Sequence, residues 1–178
     1  MRQVFHNPGG LPACHNLTMK QPATLALLIL AVFSQAASPQ DTLRKRYQDY
    51  NAIIQKGNSR AMNEWLQRYC APKFSYTSYQ NTKFDRKNYI GGVLRQISQT
   101  SKVLKTSTTI RDFKVSKNSI VATVASEFKG LVAFDSKKLI LTDNSVSYET
   151  WNLVGNDWKL QKVVQVNADT QMHQEGED

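Results

Sequence analysis

Residues 148–160 read YETWNLVGNDWKL. On both sides of Gly155-Asn156-Asp157 the side chains alternate between apolar and polar, which is typical of strands with one buried face. Glycine, asparagine and aspartate in succession favour a tight turn. The stretch therefore predicts a β-hairpin made by strands at about 138–153 and about 158–168.

The same alternation extends towards the N-terminus as far as Val103. It predicts two further strands at about 103–115 and about 119–129, joined by a turn. A shorter run, KFSYTSY at 73–79, predicts a strand that precedes them. Within the long strand at 138–153, Asp143-Asn144 predicts a bulge or bend. An antiparallel meander therefore fills the C-terminal half of the chain.

Helical periodicity replaces this alternation in the N-terminal half. Asp41 is a candidate N-cap for a first helix that Gly57 ends. Asn58 or Ser59 is a candidate N-cap for a second helix, which stops before Pro72. These two helices precede every predicted strand, and the meander comes after them.

A third helix is predicted to begin after Asp85, with Ile90 and Ile97 on its apolar face. Gly91-Gly92 lies inside this helix, where each glycine costs about 1 kcal/mol relative to alanine. We expect the pair to let the helix backbone approach the sheet closely. Helices followed by an antiparallel meander give an α+β fold.

Residues 1–40 differ in composition from the rest of the chain and contain no acidic residue. An apolar run, ATLALLILAVF at 23–33, follows Met19-Lys20 and precedes the small residues SQAAS at 34–38. The run is shorter than the roughly 20 residues that a transmembrane helix needs. A positive charge, an apolar run and small residues in this order are typical of a secretory signal peptide.

We therefore expect translation to start at Met19, so that residues 1–18 are a mis-assigned prefix. Residues 19–37 are predicted to be the signal peptide, with cleavage after Ala36 or Ala37. The mature protein would then be periplasmic or extracellular. A buried core helix and an uncleaved membrane anchor are the alternatives for the apolar run.

The composition limits the class of protein and the kind of partner. With 178 residues, 40% of them hydrophobic and 10% aromatic, the chain is not a disordered one. A net charge of +9 suggests a polyanionic partner. The positive residues are dispersed, however, and no nucleic-acid-binding motif accompanies them. We therefore expect no nucleic-acid partner and at most weak contact with an anionic envelope surface. The chain is predicted to form one domain at 41–170, followed by a polar, acidic tail at 171–178.

Histidine and cysteine are scarce in the predicted domain. Residues 41–170 contain no histidine, which excludes a histidine base, a Cys-His pair and a His-ligated metal there. His173 is isolated in the predicted tail, so we expect no metal and no other cofactor. Cys70 is the one cysteine that remains after removal of the leader, either as a small buried hydrophobe or as a reactive thiol.

Three stretches resemble the nuclear transport factor 2-like superfamily, especially its small polyketide-cyclase-like members and related domains of unknown function. They are NAIIQKGN at 51–58, FSYTSY at 74–79 with FDRKNYI at 84–90, and YETWNLVGNDWKL at 148–160. The resemblance implies a cone in which a strongly curved antiparallel sheet packs on three N-terminal helices. It also implies a pocket at the mouth of the cone and a homodimer through the outer sheet face. A function does not follow, because this scaffold hosts isomerases, dehydratases, cyclases and non-catalytic binders.

Carboxylates are the remaining candidates for catalysis. The resemblance implies that a catalytic member would carry an Asp base near the end of the first strand, where this chain has Thr77 and Ser78. Glu149 shares a strand face with Trp151, which predicts that Glu149 points inward. Glu127 is predicted to point outward. A structural acid paired with a nearby lysine is the alternative role for Glu149.

Three hypotheses for the function remain. The leading one is an exported domain that binds a small, largely apolar ligand without catalysis, through Tyr50, Tyr76, Tyr148 and Trp151. The second is an isomerase- or cyclase-like enzyme with Glu149 as base and Tyr50 as hydrogen-bond donor, a role for Tyr50 that the resemblance implies. The third is a pocketless interaction domain of the envelope. A cavity of about 300 Å³ or more would favour the first hypothesis.

Overall fold

The computed structural model describes residues 37–134 and 137–174, so the predicted prefix and leader lie outside the described residues except for Ala37. The described residues form three helices and six strands. The helices are α1 (Pro39–Gln55), α2 (Ser59–Tyr69) and α3 (Arg86–Gln99). The strands are β1 (Cys70–Thr77), β2 (Lys83–Asp85), β3 (Thr100–Val115), β4 (Ser119–Phe134), β5 (Lys137–Val154) and β6 (Asp157–Gln174).

The strands form one open sheet in the order β2-β1-β6-β5-β4-β3. All neighbours are antiparallel except β1 and β6, which run parallel. The predicted α+β class, with a mostly antiparallel sheet packed on three helices, is confirmed. β2 was not predicted, because its three residues are all exposed and show no apolar alternation.

The long strands extend beyond the ends that their sequence patterns indicate. β6 continues to Gln174, and residues 171–174 pair with residues 139–142 of β5. The prediction that a polar tail begins at residue 171 is therefore wrong for 171–174. Pairing with β5 satisfies the main-chain N–H and C=O groups whatever the polarity of the side chains. The remaining residues of the predicted tail, 175–178, lie outside the described residues.

Side-chain caps fix the starts of the helices. α1 begins with Ser38 as its N-cap, and the Ser38 Oγ accepts a hydrogen bond from the Asp41 N–H at 3.1 Å. Asp41 therefore lies in the first turn of α1 instead of capping it. Asn58 and Asp85 cap α2 and α3 as predicted. None of the helices that the structure describes is long and apolar enough to cross a membrane.

Two predictions about the backbone are wrong, namely the close approach of Gly91-Gly92 to the sheet and a β-bulge at Asp143-Asn144. Gly91 and Gly92 are exposed, and a Cβ atom added at either would meet no atom within 4 Å, so they serve no close approach to the sheet. Asp143-Asn144 pairs in regular register with β4. The register between β5 and β6 shifts elsewhere, next to Val146 and next to Thr150.

The core lies between the helices and the inner face of the sheet. Its most deeply buried side chains are those of Leu43, Met62, Leu66, Ile120, Val124 and Trp151. Cys70 belongs to the same core and is 2% exposed. Burial raises the pKa of its thiol to about 12, so Cys70 is the buried hydrophobe of the two alternatives.

Arg46 joins α1 to the hairpin formed by β5 and β6. Its guanidinium is buried, donates hydrogen bonds to the Trp158 carbonyl and the Asp157 carboxylate, and lies 4.2 Å from the centre of the Tyr69 ring. Lys159 Nζ also contacts Asp157, at 2.8 Å. Burial raises the pKa of Asp157, but the two cations outweigh burial and hold that pKa below its ordinary value. These contacts fix α1, which forms one wall of the site, against the hairpin.

Candidate functional site

A cavity of about 210 Å³ lies between α1, α3 and the inner face of the sheet. Aromatic side chains line much of it, namely those of Tyr47, Tyr50, Trp65, Tyr76, Tyr89 and Phe128. Polar side chains from the sheet line it as well, namely those of Thr108, Ser126, Asp143, Ser147, Glu149 and Gln165. The cavity is smaller than the 300 Å³ that the leading hypothesis predicts, and its wall is more polar than a site for an apolar ligand requires.

Helical spacing brings two tyrosines of α1 to this cavity. Tyr47 and Tyr50 are three residues apart and therefore lie on one face of the helix. Leu43, on the same face, is fully buried in the core and anchors that face. The apolar stripe of α1 thus continues from the core into the wall of the cavity.

Glu149 is the carboxylate that reaches the cavity from β5. Strand alternation directs it inward together with Ser147, and Glu149 is only 8% exposed. The Tyr47 hydroxyl donates a hydrogen bond to its Oε2 atom. The Ser147 hydroxyl lies 3.4 Å from Oε1, which makes a much weaker contact. The inward orientation predicted for Glu149 is confirmed.

Burial governs the protonation of Glu149. It raises the pKa of the carboxyl group above the ordinary value for glutamate, and hydrogen bonding, chiefly from Tyr47, offsets this rise only in part. The Trp151 indole N–H also lies near enough to favour the carboxylate, although its geometry falls short of a hydrogen bond. A buried carboxyl group with a raised pKa can accept a proton, or can pair with a hydrogen-bond donor on a ligand.

The structure places Tyr50 and Tyr76 in the cavity wall, as predicted. The Tyr50 ring packs against Trp65 with 5.0 Å between ring centres, and Tyr76 stacks on Tyr89 at 5.2 Å. The Tyr76 hydroxyl donates to Gln165 Oε1 at 2.8 Å. Contact of either tyrosine with a ligand stays a prediction.

The other two predicted ligand-binding residues do not line the cavity. Tyr148 precedes Glu149 in β5, so alternation turns its side chain to the outer face, where it is 51% exposed. Trp151 points inward but is fully buried in the core, where its ring meets Tyr47 edge-on. The prediction that Tyr148 and Trp151 line the pocket is therefore wrong.

The role of Tyr50 as the hydrogen-bond donor of an enzyme stays a prediction, and the phenol that donates to Glu149 is that of Tyr47, which the sequence did not single out. Both residues lie on the stripe of α1, so periodicity alone does not separate them. The inward direction of Ser147 could have been found, since it follows from the alternation that orients Glu149. Tyr89 reaches the site only through the packing of α3 against the sheet.

A glycine of β4 shapes one part of the cavity wall. Gly130 is buried, and a Cβ atom added there would lie 2.8 Å from the Phe128 ring and 3.2 Å from the Lys102 carbonyl oxygen. The ring of Phe128, which lines the cavity, therefore lies directly over Gly130. The absence of a side chain at Gly130 therefore leaves room for this ring in the cavity wall.

The sequence matches no family model, and no curated protein is similar to it in sequence. An NTF2-like protein from Cytophaga hutchinsonii is similar in structure, with a TM-score of 0.55 at 12% identity over 72% of this chain and 98% of its own. An NTF2-like protein of unknown function from Prochlorococcus has a TM-score of 0.55 at 10% identity over 76% of this chain and 97% of its own. A nuclear transport factor 2-like superfamily protein from Salmonella enterica has a TM-score of 0.53 at 11% identity, over 70% and 87%.

Proposed function

We propose, from the premise that the chain has a nuclear transport factor 2-like fold, that it binds a small molecule in the cavity without transforming it. The observation that carries the proposal is a buried carboxylate, Glu149, at the wall of a cavity that is lined by both aromatic and polar side chains. Small-molecule sites are typically apolar concavities with a few polar groups that fix the orientation of the ligand. In this proposal the tyrosine rings provide the contact area with the ligand, and the Glu149 carboxylate fixes the orientation of the ligand.

The volume limits the size of the ligand. An apolar cavity of about 150 Å³ holds one benzene molecule, whereas sites for drug-sized ligands have about 300 Å³ or more. The cavity of about 210 Å³ therefore suits a molecule with one ring or a short branched chain.

The polarity of the wall limits the chemistry of the ligand. A wholly apolar ligand would cover Glu149 without offering the buried carboxylate a hydrogen bond, which is unfavourable. The ligand therefore carries at least one hydrogen-bond donor. This narrows the largely apolar ligand expected from the sequence to an amphipathic one.

Proton transfer is the second candidate function, favoured by the position of Glu149 in the same cavity as Tyr50. Burial raises the pKa of both groups, as an enzymatic base and a neutral donor would require. Incubation of the bound ligand with the protein in deuterated water separates the two functions. A base that removes a carbon-bound proton exchanges it for deuterium, whereas a binding protein returns the ligand unlabelled.

Native mass spectrometry of the protein purified from its source tests ligand binding. We expect a mass increment that a Ser145→Phe variant lacks, because Ser145 lines the cavity and a phenyl ring there would fill it. Asn144→Phe places the same ring on the outer face of the sheet and is the matched control. The proposal would be contradicted if the purified protein carries no ligand and the two substitutions change its melting temperature equally. That result would favour a domain that interacts with other proteins.

We further propose that the protein is exported and acts as a homodimer. Ser38, the N-cap of α1, directly follows the predicted cleavage positions, so cleavage there would keep every helix and strand that the structure describes. On the outer face of the sheet, Tyr148 and Val121 are exposed on neighbouring strands and offer an apolar contact surface. The intact mass of the secreted protein tests the first point, with an N-terminus at Ala37 or Ser38 as the expected result.

A further inference from the structure

We infer that the ligand is a small organic cation, such as a protonated amine, whose positive group lies between the Glu149 carboxylate and the tyrosine rings. This inference rests on the proposed binding function and adds the charge of the ligand. Three features of the cavity carry it, namely the sign of the charges in its wall, the absence of a counter-ion for Glu149 among the described residues and the arrangement of its aromatic rings.

The charged residues of the cavity wall are all acidic, although the chain as a whole has a net charge of +9. They are Glu127, Asp143 and Glu149, and no lysine, arginine or histidine is among the described residues that line the cavity. Glu127 extends to the outer face, as predicted, where Lys105 Nζ lies 2.7 Å from it. Asp143 accepts a hydrogen bond from the neutral Thr170 hydroxyl. Two carboxyl groups thus face the cavity without a cationic partner in the described part of the chain.

Glu149 is the deeply buried member of this pair. Its hydrogen-bond partners, Tyr47 from α1 and Ser147 from β5, are neutral. The other titratable groups near it are Tyr50, Tyr89 and Cys70, and burial raises the pKa of each, so they too are neutral at neutral pH.

The buried cation of the core, Arg46, is engaged elsewhere, since its guanidinium contacts Asp157 and the Trp158 carbonyl. Among the described residues, no ion pair therefore includes Glu149. Buried charges in proteins are normally paired. A cationic ligand would provide the missing partner.

The aromatic rings favour the same charge. Tyr50, Trp65, Tyr76 and Tyr89 surround the cavity, and the face of each ring is electron-rich. Organic ammonium groups bind in sites of this kind, where several rings and a carboxylate share the positive charge. An anionic ligand would meet the opposite conditions, because both carboxyl groups and the ring faces would repel it.

Three one-ring probes of nearly equal size test the inference: benzylamine, which is cationic at neutral pH, benzyl alcohol, which is neutral, and benzoate, which is anionic. We expect calorimetric titration of the purified protein to show benzylamine binding at least about tenfold more tightly than benzyl alcohol, because a hydrogen bond to a charged partner is stronger. Benzoate should bind most weakly. In a Glu149→Gln variant the preference for benzylamine should disappear while benzyl alcohol still binds. Glu64→Gln, the same change at an exposed carboxylate that is paired with Arg60 and does not line the cavity, should keep the preference.

The outcomes separate this inference from the function on which it rests. Equal affinity of the native protein for benzylamine and benzyl alcohol would overturn the cationic ligand and leave the binding cavity intact. Binding of none of the probes would overturn both. The comparison of probes on the native protein decides the question even if Glu149→Gln does not fold.

Discussion

Replacing Arg46 with methionine should destabilise the fold substantially, because the guanidinium is one of the few buried polar groups that tie α1 to the sheet. Methionine keeps the aliphatic stem and removes the contacts with the Trp158 carbonyl, the Asp157 carboxylate and the Tyr69 ring. Leaving a buried carbonyl unsatisfied costs about 1–3 kcal/mol, and a buried cation–π contact contributes about 1–2 kcal/mol. Asp157 keeps Lys159 as its partner, and removal of the guanidinium relieves its own desolvation.

The net loss should therefore be about 2–3 kcal/mol, less than the roughly 3–5 kcal/mol for breaking a buried ion pair, because Asp157 keeps a cationic partner. Urea denaturation followed by circular dichroism measures it, and the melting temperature should fall by roughly 6–12 °C. Arg60→Met is the matched control, since Arg60 forms an exposed pair with Glu64 in α2 and should lose less than about 1 kcal/mol. If the two variants lose the same free energy of unfolding, the assignment of Arg46 as the link between α1 and the hairpin is wrong.

Five further substitutions test other parts of the structure. Glu149→Gln should flatten the dependence of stability on pH. With glutamate at position 149, the carboxyl group loses its proton near pH 4.3 in the unfolded chain and at a higher pH in the folded one. The free energy of unfolding therefore falls as pH rises from about 4.3 towards the raised pKa of the folded state. Urea titrations at several pH values measure this slope, and the same slope in the variant would contradict the prediction. Gly91→Ala and Gly92→Ala should each raise the free energy of unfolding by about 1 kcal/mol, since both sites are helical and open, and a loss at either would reveal a contact there. Gly130→Ala should displace the cavity-lining ring above it, lower stability by about 1–3 kcal/mol and weaken benzyl alcohol binding in calorimetry, whereas unchanged affinity would show that the ring does not move into the cavity. Tyr148→Glu should convert the proposed dimer into a monomer by light scattering without lowering the melting temperature, and a mass equal to that of the native protein would exclude this face as the interface.

Much of the fold could be predicted from local patterns. Alternation with period two locates β3–β6, and polar caps such as Asn58 and Asp85 locate the starts of helices. The ends of the long strands could not be predicted, because polar residues near Gln174 are held by main-chain pairing with β5. β2 could not be predicted either, since a three-residue exposed strand has no pattern of its own. Its existence depends on β1 being in place beside it.

Within the site, only the directions of the strand side chains could be predicted from the sequence, because they follow from alternation along the strand. Alternation gives the inward direction of Glu149, and it also places Tyr148 on the opposite face of the strand. Tyr148 was predicted to line the pocket only because it is aromatic. The choice between Tyr47 and Tyr50 depends on the position of α1 over β5, which is a tertiary relation. The same holds for Trp151, since a strand residue that points inward can end either in the core or in the cavity.

Part of the dispersed positive charge lies on β3, one of the two edge strands of the sheet. β3 is an edge strand of 16 residues, long enough to recruit a strand from another molecule and start aggregation. It carries Lys102, Lys105, Arg111 and Lys114, and its register with β4 is interrupted at three places. Like charges and an irregular edge both oppose the docking of a second copy of the strand. Part of the excess of lysine and arginine therefore opposes association through this edge of the sheet, independently of any ligand.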